Sequence, residues 1–143
     1  MASYVASHID TMKNSSIDVT ISAAQVLALG STPITLIGAP GAGRYVELVR
    51  VEMFLDYNSA AYAGAAGKDI SVEYSSGGTS LVSIECTGLM DQASDQRRCM
   101  NHSVSHNVVV NEAIVVKTLS GSLTAGNSPL KIRIDYRLID VLI

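Results

Sequence analysis

Cys99, His102 and His106 stand at spacings that suit a metal, with Cys86 as the one further plausible ligand. A structural zinc site closes a tetrahedron of four such ligands. No Cys-x-x-Cys pair supports that set, so no metal or cofactor is expected, and the histidines are expected to be solvated or hydrogen-bonded. The run Gly38-Ala39-Pro40-Gly41-Ala42-Gly43 before Arg44 invites a phosphate-loop reading. A phosphate loop needs Gly-Lys-Ser/Thr at the start of a helix. Here Arg44 opens a strand pattern and no Ser or Thr follows it, and the dinucleotide fingerprint fails on the same ground. A turn between strands is the expectation. Asp91 and Asp95 are paired carboxylates in a polar stretch that reads as solvated. No nucleophile elbow marks a Ser–His–Asp set. The chain is therefore expected not to be an enzyme.

The elements that carry these residues read mainly as strands. Residues 17–21 alternate apolar and polar, which is the period of a half-buried strand. Ser22 then precedes a run of helix formers closed by Gly30, the signature of a short capped helix. Residues 32–37 read as a strand with Pro33 at its start, where a missing N–H matters least. Residues 45–57 form the longest strand candidate, with Val49, Val51, Met53 and Leu55 on one face and Arg50, Glu52 and Asp56 on the other. Phe54 and Leu48 interrupt the polar face.

Residues 70–75 and 79–86 alternate on either side of Ser76-Gly77-Gly78, a hairpin signal. Residues 87–103 have no clear period, and 91–98 read as one helical turn or an exposed loop. Residues 107–119 are β-branched and apolar, predicting two strands around a turn at Asn111-Glu112. The last strand, from Leu130, has the cleanest alternation. About eight strands with one short helix near the N-terminus predict an all-β fold, an antiparallel two-sheet sandwich or jelly roll. Residues 1–16 are expected as an N-terminal arm or a disordered tail, and 17–143 as a single β-sandwich domain.

Composition narrows the partners. The chain of 143 residues carries 10 basic and 13 acidic side chains, for a net charge of −3. Nucleic-acid binders usually show a basic excess, and the densest basic spot here, Arg97-Arg98, has Asp91 and Asp95 beside it. No direct nucleic-acid contact is expected. Charged residues make up 16%, against about 25% in ordinary globular domains. A surface so poor in charge points to cover by a partner. No apolar run reaches the roughly 20 residues of a membrane span, and residues 1–10 lack the basic and apolar regions of a signal peptide. No membrane partner is expected, and synthesis in a reducing cytoplasm is. The two cysteines are expected as buried free thiols, with a Cys86–Cys99 pair as the alternative.

Six tyrosines stand against one phenylalanine and no tryptophan. Tyrosine suits a half-wet surface, because its ring packs while its hydroxyl finds a partner. Tyr57 and Tyr62 flank a small-residue loop and form a candidate contact patch; the alternative is tyrosine at sheet margins. The apolar Val141, Leu142 and Ile143 are expected to pack on a neighbour or on the core. Tyr4, Tyr57, Tyr62, Arg97, Arg98, Val141, Leu142 and Ile143 are the candidate subunit-contact residues.

Residues 21–66 carry a further signal. A short helix leads to Thr32-Pro33-Ile34-Thr35-Leu36 and then Ala39-Pro40-Gly41-Ala42-Gly43-Arg44. A long strand ends in Phe54-Leu55-Asp56-Tyr57, followed by Ala61-Tyr62-Ala63-Gly64. This stretch resembles small virion proteins of tailed bacteriophages, in particular head decoration or cementing proteins; the second half of the chain is similar in strand pattern alone. The resemblance implies a jelly-roll-like domain on the outer capsid surface of a virion, made in the host cytoplasm. It implies binding to the major capsid protein and to itself, as homodimer or homotrimer, to stabilise the shell. It carries no catalytic residue. A tail or neck component on the same fold is the alternative, and a carbohydrate-binding receptor module a more distant one.

Overall fold

Alternating side chains set the longest strands, and pairing sets the rest. A computed structural model describes residues 14–78, 80–102 and 107–142. The chain runs β1 (Ser15–Ile21), α1 (Ala23–Ala28), β2 (Ile34–Ile37), β3 (Arg44–Leu55), β4 (Asp69–Tyr74), β5 (Val82–Glu85), β6 (Gln96–Asn101), β7 (Ile114–Leu119) and β8 (Leu130–Asp140). Two four-stranded sheets result, in the orders β1-β8-β3-β6 and β2-β7-β4-β5. Every pairing is antiparallel. The chain crosses between sheets at every connection except the β4–β5 hairpin, which is the jelly-roll order of two wrapped Greek keys.

Between the sheets lie Met53, Leu55, Ile70, Ile114, Ile132 and Ile134, all essentially without solvent contact. The Tyr74 hydroxyl donates to the Val46 carbonyl at 2.8 Å and so ties one sheet to the other. Helix α1 starts as its sequence directs. Ser22 caps it through the Gln25 N–H, and the Gln25 side chain returns the bond to the Ser22 N–H, a reciprocal capping box.

Several expectations need correction. Strand β1 begins at Ser15, because Ser15 and Ser16 already pair with Tyr136 and Asp135. The Ser16 hydroxyl also donates to the Asp135 carboxylate at 2.8 Å. Ser15 and Ser16 therefore belong to the sandwich, and residues 1–13, the rest of the expected arm, lie outside the described residues. In β3 the pairing with β8 slips between Leu48 and Arg50. That bulge inserts one residue and reverses the facing, so Val46 and Leu48 point inward before it and Val51, Met53 and Leu55 after it. Val49 loses its expected place on the buried face. Residues 96–101, part of the stretch 87–103 that shows no clear period in the sequence, form β6 against β3. Residues 107–110, read as strand, belong to no strand, and Asn111 turns there with a φ of 56°.

The register gives the sandwich two distinct ends. Ile21, Leu55, Gln96 and Leu130 align at one end of the first sheet. Connections 22–33, 56–68, 86–95 and 120–129 therefore share the first end. At the second end lie connection 38–43, residues 107–113 and the exit of β8. The Asn111 N–H donates to the Arg44 carbonyl at 2.7 Å, and the Val141 N–H to the Gly43 carbonyl at 2.9 Å, which fastens this end together.

Candidate interaction surface

The residues with chemical potential do not converge. Cys86 is buried and Cys99 is exposed, both as free thiols. Cys99 escapes burial because β6 lies at a sheet edge, so the expectation of two buried thiols holds only for Cys86. His106 lies outside the described residues. Among the described residues no group of three or more His, Cys, Asp and Glu is placed to hold a metal ion. Asp91 and Asp95 are not simply solvated. Asp91 accepts from the Gln92 amide and the Gly88 N–H, both at 2.7 Å, and these bonds hold its carboxyl below the usual range. Asp95 accepts from the Tyr57 N–H at 2.9 Å. Both carboxylates fasten loops.

The outer face of the first sheet carries most of the ion pairs. Arg133 grips Asp18 with two nitrogens at 2.7 and 2.9 Å, and those bonds hold the Asp18 carboxyl below its ordinary value. Arg97 and Arg50 both reach Glu52, and Arg50 also faces Asp135. Lys131 pairs with Asp56 at 2.9 Å and Arg137 with Glu47 at 2.8 Å. At the centre is a shallow hollow of about 270 Å³ around Phe54. Arg97 stacks over that ring at 4.8 Å and Lys131 at 5.9 Å. The cations and carboxylates of this face satisfy one another. Each exposed pair contributes little to stability, and a face so balanced projects little net field toward a charged partner.

Apolar exposure is concentrated elsewhere. Val108, Val110, Val141 and Leu142 are the large exposed aliphatics, and all belong to the second end. Leu142 is 95% exposed. Met100, on β6, is the remaining large exposed apolar residue of the described chain.

The expected contact residues divide accordingly. Val141 and Leu142 lie on the surface, so packing on their own core is ruled out for both. Arg97 and Arg98 are exposed, but successive strand residues point to opposite faces. Arg97 lies on the outer face, whereas Arg98 turns inward and donates to the Gly88 carbonyl, so they do not form one basic patch. Tyr57 is half-buried. Tyr62 is only 2% exposed, which removes it from the contact set. Its ring fills space beneath loop 120–129, and its hydroxyl donates to the Ser128 carbonyl. Tyr4 and Ile143 lie outside the described residues. Sequence reasoning missed Met100, Val108 and Val110. The two valines sit in a β-branched run that has the composition of a buried strand.

Two buried groups make stability sensitive to base. Burial pushes the Tyr62 hydroxyl up to about 12 from 10. Burial first, and the Asp69 carboxylate second, push the Cys86 thiol up to about 12 from 9. Both groups are neutral when protonated, and the fold holds the proton more tightly than the unfolded chain does. Their contribution is complete below about pH 9 and is lost as pH rises toward 12. For Tyr62 this amounts to about 2–3 kcal/mol. Urea midpoints should fall across that window, and less steeply in Tyr62→Phe. An equal slope in the variant would reject the assignment.

Compared with protein-family models, curated proteins and solved structures, the chain matches none of them. What the fold and surface define is a class: a jelly-roll domain with a charge-balanced sheet face and an aliphatic end. No helix among the described residues is long and apolar enough to cross a membrane.

Proposed function

We propose that this chain is a virion structural protein that decorates and stabilises a capsid shell by bridging major capsid protein subunits on its outer surface. The observation that carries the reading is the aliphatic second end, where Val108, Val110, Val141 and Leu142 stand exposed around the exit of β8. Exposed aliphatics gathered at one end of a fold mark a contact site. The resemblance of residues 21–66 to phage head decoration proteins supplies the partner. The balanced ionic face suits a protein that must stay soluble until it docks. A shell offers many identical sites, so modest contacts sum to firm attachment where one copy engages more than one subunit. No catalysis is assigned.

Purified protein should bind shells that lack it and raise the temperature at which they rupture. Bound copies should match the shell lattice rather than the few positions of a neck or tail ring. Leu142→Asp should weaken binding about tenfold, the cost of desolvating a charge at an apolar contact. Its own thermal midpoint should not change, since Leu142 makes almost no contact within the chain. Failure of the natural protein to bind, or equal binding by the variant, overturns the reading.

A further inference from the structure

Among the described residues four strands border the two sheets, and they are not equivalent. β2 and β5 span four residues each, and the register of β2 against β7 is interrupted. Short or irregular edges are poor templates for another strand. β1 is longer, but Ile17 and Val19 pack against the core. β6 is exposed from Arg97 to Asn101, on both faces. It keeps unbroken register with β3, contains no proline, and carries the exposed Met100.

The free edge of β6 has a defined set of donors and acceptors. The His102 N–H donates to the Val49 carbonyl at 2.9 Å, in register with the β3–β6 ladder. Backbone groups of an antiparallel strand alternate between its two edges. Even-numbered residues of β6 therefore turn toward β3, and Arg97, Cys99 and Asn101 turn their N–H and C=O groups outward.

We infer that β6 pairs antiparallel with β6 of a second copy of this chain about a two-fold axis, joining two four-stranded sheets into one. The side chains select the register. A continuous sheet with matching faces requires the axis to pass beside a residue rather than between two. Centring on Arg97 or Arg98 sets arginine against arginine. Centring on Met100 carries the ladder past the end of the strand. Centring on Cys99 places Arg97 opposite Asn101 and Arg98 opposite Met100, with no like charges opposed and the whole ladder inside β6. Arg97, Cys99 and Asn101 are then the residues whose outward groups bond. The two Cys99 residues meet at the axis with Cα atoms about 5.5 Å apart. The inference deepens the shell reading by assigning the self-contact, but it stands on strand geometry and is tested without shells.

Sedimentation of the purified chain should show a dimer at its highest soluble concentration. A short bismaleimide should join two copies through Cys99, and Cys99→Ser should abolish the product, whereas the buried Cys86 should not react. Asn101→Pro removes an outward N–H that β3 does not use, so it should keep the thermal midpoint and raise the dimer dissociation constant about tenfold or more. Met100→Arg sets a cation opposite Arg98 of the second copy, and should weaken the dimer likewise even if the proline variant fails to fold. A monomer, a trimer, no cross-link at Cys99, or a dimer indifferent to Met100→Arg overturns the inference. A dimer that ignores shells rejects the earlier reading alone, and a monomer that binds shells rejects this one alone.

Discussion

Gly126→Ala is expected to destabilise the domain by about 3–4 kcal/mol, the sum of a left-handed backbone penalty and overpacking. Gly126 has a φ of 93°, and a Cβ there would overlap Cδ1 of the Tyr62 ring. The ring cannot withdraw, because it is buried and its hydroxyl is bound to the Ser128 carbonyl. The clash falls where loops 56–68 and 120–129 are joined: Ala63 bridges Thr124, and the Asn127 carboxamide accepts from the Ser59 and Ala60 N–H groups. Gly67→Ala is the matched control. Its φ is 73° but no atom lies within 4 Å of the added carbon, so only the backbone term remains, about 1–2 kcal/mol. Urea unfolding of both variants checks this, and equal losses would remove Tyr62 from the explanation.

Lys117→Met should cost about 2–3 kcal/mol, because it strands a buried carboxylate. Glu73 lies on the outer face of the second sheet, yet its side chain is only 3% exposed. It is held by the Lys117 ammonium at 2.7 Å and by the Ser71 hydroxyl at 2.8 Å. Lysine's own 30% exposure keeps the expected loss below the roughly 3–5 kcal/mol of fully buried pairs. Adding Glu73→Gln to the variant removes the unpaired charge and should restore most of the stability. Chemical denaturation of the three variants decides, and the account fails if Lys117→Met is neutral or the double variant shows no recovery.

What the sequence revealed depended on burial. β8 was legible because Leu130, Ile132 and Ile134 face the core while Lys131 and Arg133 face solvent. Helix α1 was legible from Ser22 and the closing glycine, both local signals. β6 was not, because its inward positions Gln96, Arg98 and Met100 overhang the edge and need not be apolar; pairing with β3 makes it a strand. Residues 107–110 erred the opposite way, since β-branched side chains favour strands only where a surface receives them, and Val108 and Val110 remain in solvent. These two errors cancelled in the strand count. The bulge at Val49 left its trace in the phase break at Leu48, which pattern alone could not place. Of the candidate contacts, the aliphatic end was partly legible from Val141 and Leu142. The role of Tyr62 was not, because a tyrosine among small residues looks the same whether it caps a surface or bolts two loops together.

The opposed ends of the sandwich give the molecule a direction. If the second end is the one that seats, the connections containing Ala93 and Ser94 point away from the seat, and both residues are exposed. A foreign epitope spliced between them would be held outward in a fixed orientation, at a density set by the lattice beneath, while the docking end stayed untouched.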